Sequence, residues 1–194
     1  MAGGGEGVMR YFRLGVVLWM LGLVPVAAQD RPTEEMLWQA LREGRAVALI
    51  RHATAPGTGD PAGFRIGDCA TQRNLSETGR AEARQLGILF RVNGIAAATM
   101  RSSAWCRCHD TAVLMELGPV VTEPALNSLF GARPEEAART AELRQVIAGL
   151  PPGLPAVLVS HQTNIAALTG IYAASGGIVV VERGSLAVLG RLGT

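Results

Sequence analysis

The chain contains no lysine; all eighteen of its basic residues are arginines. That excludes Schiff-base chemistry and a P-loop lysine. Cysteine is scarce as well, with three residues in 194, and the Cys106-x-Cys108 spacing is not that of a zinc site. No metal and no cofactor is expected. There is no run of like charge and no fixed-period repeat, and the net charge of +2 is too small to argue for nucleic acid as a partner. A membrane-spanning run is missing too. The uncharged stretch Leu14 to Ala28 is 15 residues long and contains Pro25, against the ~20 residues a spanning helix needs. It follows the basic segment Met9-Arg10-Tyr11-Phe12-Arg13 and ends in Val26-Ala27-Ala28, the small-residue pattern before a cleavage site. This predicts an export signal over residues 1–28 and a single mature domain over 29–194, periplasmic or secreted, with no stable membrane span after cleavage.

What the chain does have is apolar runs that stop abruptly. Ala46 to Ile50 are five consecutive apolar residues, followed at once by Arg51 and His52. Ala156 to Val159 repeat the pattern and run through Ser160 into His161. Such runs read as strands buried on both faces of a parallel sheet. Helical patterns lie between them. One covers residues 33–44, capped by Thr33 and closed by Gly44; another follows Ser76 and closes at Asn93-Gly94. Further helices are expected over 104–117, over 134–150 and around 164–169. Further strands are expected over 95–100, 119–122, 178–182 and 186–190. Strands alternating with helices predict an α/β fold, a three-layer αβα sandwich around a mainly parallel sheet. Residues 54–74, rich in glycine and proline, form a long loop leaving directly from Arg51-His52.

Ligands of open α/β sheets bind beyond the carboxyl ends of strands. If both histidine-ended strands are central and parallel, His52 and His161 share one sheet edge with Arg51 beside them. A neutral imidazole can attack phosphorus, and a guanidinium can fork onto phosphoryl oxygens. The helix expected after Arg101-Ser102-Ser103 would point its N-terminus at the same edge, and Arg107 in its first turn would add a second guanidinium.

Arg51-His52-Ala53, Asn74-Leu75-Ser76-Glu77-Thr78-Gly79, Ser102-Ser103 with Arg107 and Thr111-Ala112, and Val159-Ser160-His161 together resemble the histidine phosphatase (phosphoglycerate mutase-like) superfamily, in its order, over most of residues 46–170. The resemblance implies that His52 becomes phosphorylated by a small phosphorylated substrate, a phosphomonoester that is then hydrolysed. It also implies that Arg51, Arg107 and a protonated His161 hold the phosphoryl group, without a metal. The alternative within the same fold is a phosphate-binding sensor that turns over poorly.

The chain departs from that family in its general acid. Gln162 stands where many members have Asp after the second histidine. Glu123, Glu135 and Glu136 are the remaining candidates, while Asn127-Ser128-Leu129-Phe130, where the acid is sought, carries no carboxylate. Phosphohistidine phosphatases in this superfamily also lack the acid. Cys69 is expected to pair with Cys106 or Cys108, which would pin the 54–74 loop to the Arg107 helix; in the chain-entropy model this is worth about 4 kcal/mol. His109, Trp38 and Trp105 read as surface or packing residues. Arg65, Arg73 and Arg101 read as solvated unless they extend the pocket, and Asn164 as a helix cap.

Overall fold

The structure is a computed structural model describing residues 1–5 and 32–193. It divides into two units, Met1–Asp30 and Arg31–Thr194. The first is described only over residues 1–5, which form no regular element. The expected export signal, residues 1–28, thus lies outside the described residues but for those five. No helix among the described residues is long and apolar enough to cross a membrane.

The second unit alternates as α1 (Glu34–Arg42), β1 (Ala46–Arg51), α2 (Glu77–Val92), β2 (Thr99–Ser102), α3 (Cys106–Leu114), β3 (Val120–Thr122), α4 (Glu136–Ala148), β4 (Ala156–Ser160), α5 (Gln162–Thr169), β5 (Ile178–Glu182) and β6 (Val188–Leu192). The six strands form one sheet in the order β3-β2-β4-β1-β5-β6. β3, β2, β4 and β1 are parallel, β5 pairs antiparallel with β1, and β6 pairs antiparallel with β5 at the edge. β1 and β4 are neighbours in register, with Arg51 opposite Ser160. His52 and His161 therefore follow directly on two adjacent strand ends.

Alternating side chains of the buried strands feed two cores. Ala46, Ala48 and Ile50 face α1, α2 and α3, where Trp38 and Phe90 meet edge to face at 5.2 Å. Val47 and Leu49 face α4 and α5 through Leu143, Ile147, Ile165 and Leu168. This is the three-layer α/β sandwich expected from the alternation of elements.

The caps follow local chemistry. Thr33 Oγ1 accepts from the Met36 amide at 3.3 Å, and Ser76 Oγ accepts from the Gly79 amide at 3.0 Å. Several boundaries differ from expectation. β2 starts at Thr99 because Ile95 still closes α2, its amide donating to Phe90 O at 2.9 Å. α3 starts at Cys106 because side chains take the amides before it: Asn127 Oδ1 that of Ala104, Ser103 Oγ that of Trp105. It ends at Leu114, shortly before Glu116 enters the left-handed region at φ 54°. α4 is shorter than expected, its entry being a 3₁₀ turn over Arg133–Glu135. Leu186, also left-handed at φ 60°, belongs to the turn into β6, which starts at Val188.

Gly79 is where α2 meets the chain leaving β1. A Cβ built there would lie 2.0 Å from Thr54 O, a backbone atom that cannot swing aside. Gly79→Ala is therefore expected to cost about 1–3 kcal/mol by overpacking. Urea unfolding with an unchanged midpoint would show that this contact yields.

Candidate active site

Parallel pairing carries both histidines to one place. The His52 amide donates to Ser160 O at 3.0 Å, and the imidazole ring centres lie 5.6 Å apart. Both rings are buried, His52 being 3% exposed and His161 4%. His52 Nδ1 lies 2.8 Å from Ala53 O. A carbonyl only accepts, so Nδ1 carries the proton and Nε2 keeps its lone pair. The next two residues are held as firmly. The Ala53 amide donates to Thr111 Oγ1 of α3, and both the amide and the hydroxyl of Thr54 donate to Glu82 of α2.

His161 opens α5 and is tied in through Ser103. Asn127 Oδ1 accepts from the Ala104 amide at 2.9 Å and also lies 3.3 Å from Ser103 Oγ. Arg107 Nη2 can only donate and lies 3.5 Å from His161 Nδ1, so in the neutral ring Nε2 carries the proton and donates to Ser103 Oγ at 2.9 Å, whose own hydroxyl proton goes to Asn127.

Arg107 lies in the first turn of α3, its side chain 3% exposed. Its Nη1 donates to Asp60 Oδ1 at 2.8 Å, in an ion pair buried on both sides. Asp60 also accepts from the Arg73 amide and from Trp105 Nε1. Burial pushes the Asp60 carboxyl up, but hydrogen bonds from Arg107, the Arg73 amide and Trp105 more than offset this and hold it below the usual range. Asp60 is an ionised counter-charge.

A cavity of about 150 Å³ lies over these groups. Arg51, His52, Arg107 and His161, the four residues singled out in the sequence, all line it, and so does Arg73. Arg73 Nε donates to Gly59 O at 2.7 Å, and its Nη1 donates to Ala55 O. Arg65 instead pairs with exposed Asp68, and Arg101 does not line the cavity. The helix end facing the cavity also differs from expectation. The Ala104, Trp105 and Cys106 amides before and at the start of α3 are taken by Asn127, Ser103 and Gln72, whereas Gln162 and Thr163 at the start of α5 line the cavity.

Other expectations are corrected. Asn164 does not cap α5. It is buried, accepts from the Leu129 amide and donates to Asn127 O, fixing the 127–130 segment, of which Ser128 and Phe130 line the cavity. Trp105 is more than packing: its ring stands 5.5 Å from that of His161 and its N–H holds Asp60. None of the three candidate acids lines the cavity. Glu123 accepts from the Ala125 amide, Glu135 pairs with Arg139, and Glu136 lies on a neighbouring groove. Asp60 and Glu82 carried no signal in the sequence, and Arg73 and Asn164 only an ambiguous one, because their partners are brought to them only by the path of the loop and the helices.

Cys69 is bonded to Cys106, one of the two pairings expected, and joins the 54–74 loop to the first residue of α3. Cys108 is free and buried, its Sγ 3.4 Å from His161 Nε2, and burial pushes its thiol up to about 12. His109 is exposed.

Burial, outweighing the hydrogen bond to Ala53 and assisted by Arg107, Arg73 and Arg51, lowers His52 to about 3. Burial, Arg107 and His52 hold His161 well below its ordinary range. Both rings are therefore neutral at pH 7 in the free site. Between pH 7 and 5 the unfolded chain takes up protons on both histidines and the folded chain does not, so stability falls as pH falls. His52 alone should cost about 2 kcal/mol by pH 5. Thermal unfolding should show a lower Tm at pH 5 than at pH 7, with a smaller drop in His52→Gln. A Tm that rises towards pH 5 would contradict these assignments.

No family model matches the chain, and no curated protein does. Solved structures share its fold. A candidate phosphohistidine phosphatase, SixA from Agrobacterium tumefaciens, is 22% identical with a TM-score of 0.56, over 78% of this chain and 99% of that one. TTHB049 from Thermus thermophilus is 20% identical, also with a TM-score of 0.56, over 77% and 99%. A mycobacterial glucosyl-3-phosphoglycerate phosphatase in complex with inorganic phosphate is 19% identical with a TM-score of 0.54, over 74% and 94%.

Proposed function

We propose that the chain is a phosphatase that hydrolyses small phosphomonoesters through a phosphohistidine on His52. The observation that carries this reading is the pairing of a neutral, Nδ1-protonated His52 with three guanidiniums around one cavity of phosphate size. Arg51 Nε and Arg107 Nε are moreover buried without a partner among the described residues, and such donors favour an anionic acceptor. The phosphatases among the similar folds support the same reading.

In the first step the Nε2 lone pair attacks phosphorus, the P–O bond to the alcohol breaks, and the alkoxide takes its proton from water. Arg51, Arg73 and Arg107 balance the charge on the equatorial oxygens, as phosphoryl transfer requires. An approaching phosphate dianion favours the charged form of His161, so this ring takes up a proton on substrate binding and shares the load. In the second step water attacks phosphorus, the P–N bond breaks, and inorganic phosphate leaves with the lone pair restored to Nε2. The route needs no metal. No carboxyl group lines the cavity among the described residues, so esters of poor leaving groups lose the 10²–10⁴-fold that a general acid supplies. The same feature suits a phosphoramidate, whose leaving nitrogen needs less help; protein phosphohistidine is the second reading.

Para-nitrophenyl phosphate, whose leaving group needs no acid, should be hydrolysed without added metal. His52→Ala should lower that rate by at least about 10³-fold. Phosphate binding without turnover would put a sensor in place of the enzyme.

Export is proposed on the basic and apolar pattern of residues 9–28, and the Cys69–Cys106 bond supports an oxidising compartment. Protein recovered from the periplasm of an expressing bacterium should begin near Gln29 on N-terminal sequencing. A recovered chain still carrying residues 9–28 would refute cleavage.

A further inference from the structure

Beside the phosphate-sized cavity lies a groove of about 350 Å³, and the two share Phe130 and Thr163 in their walls. Its volume is in the range that accepts small organic ligands. Aromatic residues are only 5% of the chain, yet two of them, Phe130 at 60% exposure and Tyr172 at 72%, stand on this groove. Ala166 and Ala167 of α5 also line it, with side chains small enough to leave room. The Phe130 segment is fixed beforehand: buried Asn164 holds Asn127 and Leu129 by hydrogen bonds, and the Phe130 amide donates to Ser128 Oγ at 3.2 Å.

The charge on the groove is as informative as its shape. Arg133 and Glu136 line it, and neither side chain has a hydrogen bond or ion pair among the described residues. Their opposite signs cancel, so a second phosphate gains nothing there, while the neighbouring cavity with its three guanidiniums takes one.

We propose that this groove receives the alcohol half of the substrate, and that this half is uncharged and ring-bearing, a phenol above all. The assignment rests on reading the first cavity as the phosphoryl site. Two independent features meet in it. Exposed rings offer stacking faces to a planar group. The missing acid favours an alcohol that can leave as its anion, as a phenol with a pKa of about 10 does far better than an aliphatic alcohol. Phosphorus passes from the phenol oxygen to His52 Nε2, and the phenolate departs along the groove, to be protonated by water.

Phenylphosphonate and methylphosphonate carry the same anionic head and cannot be hydrolysed, so calorimetric titration of the full chain with each measures the groove apart from the chemistry. Phenylphosphonate should bind about tenfold more tightly. Tyr172→Ala, a change outside the lining of the phosphate cavity, should reduce that preference severalfold and leave methylphosphonate affinity unchanged. Phe130→Ala should reduce the preference as well. Equal affinity for the two phosphonates, or a preference that survives both substitutions, overturns the groove assignment even if para-nitrophenyl phosphate is hydrolysed. A preference of the expected size in a protein without turnover keeps the groove and discards the phosphatase. If neither phosphonate binds, both readings fall.

Discussion

Hydrogen bonding between β1 and β4 is the constraint on which the rest of the molecule depends. It is parallel and central, and its register puts Arg51 opposite Ser160, so the residues that follow, His52 and His161, have no choice but to emerge side by side. A one-residue slip would turn every side chain of one strand to the other core. What opposes it is fit: Ala46, Ala48 and Ile50 fill one helical layer and Val47 and Leu49 the other, and exchanging them would leave gaps in one core and crowd the other. The site inherits its precision from the two cores and not from the loop above it.

Around that frame the structure solves an electrostatic problem. Three arginines and two imidazoles crowd one cavity, and the imidazoles give up their protons, through burial first and the neighbouring guanidiniums second. The charge of Arg107 is met in the interior by Asp60, which is held by Trp105 and the Arg73 backbone in turn. The 54–74 loop is thus part of the site and not a cover for it. The Cys69–Cys106 bond and the Gln72 side chain, which takes the Cys106 amide, fix that loop to the start of α3 immediately before Arg107.

How much of this is readable in the sequence depends on whether the deciding interaction is local. The ends of β1 and β4 are legible because an unbroken apolar run stopping at Arg-His or at Ser-His is a one-dimensional signal. Thr33 and Ser76 are legible as caps because a cap and its amide are three residues apart. The start of α3 is not legible: Ser103 takes the Trp105 amide but turns also to His161, and the Ala104 amide is claimed by Asn127 from a distant segment. Asp60 lies among glycines and prolines like any loop carboxylate, and Arg73 like any surface arginine. Only the folded path of the loop gives them partners. Asn164 looks like a cap by position and turns out to be a tether, for the same reason.

On the phosphatase reading proposed above, Asp60 bears on turnover as well as on architecture. A phosphatase must let go of inorganic phosphate as often as it takes hold of an ester, and a ring of uncompensated guanidiniums would keep the product. By already neutralising part of Arg107, the carboxylate weakens the grip on the departing dianion and on the arriving ester alike. The proposed bond-making step falls to Nε2 of His52, with which Asp60 has no hydrogen bond. In an enzyme of that kind the buried ion pair would trade affinity for throughput.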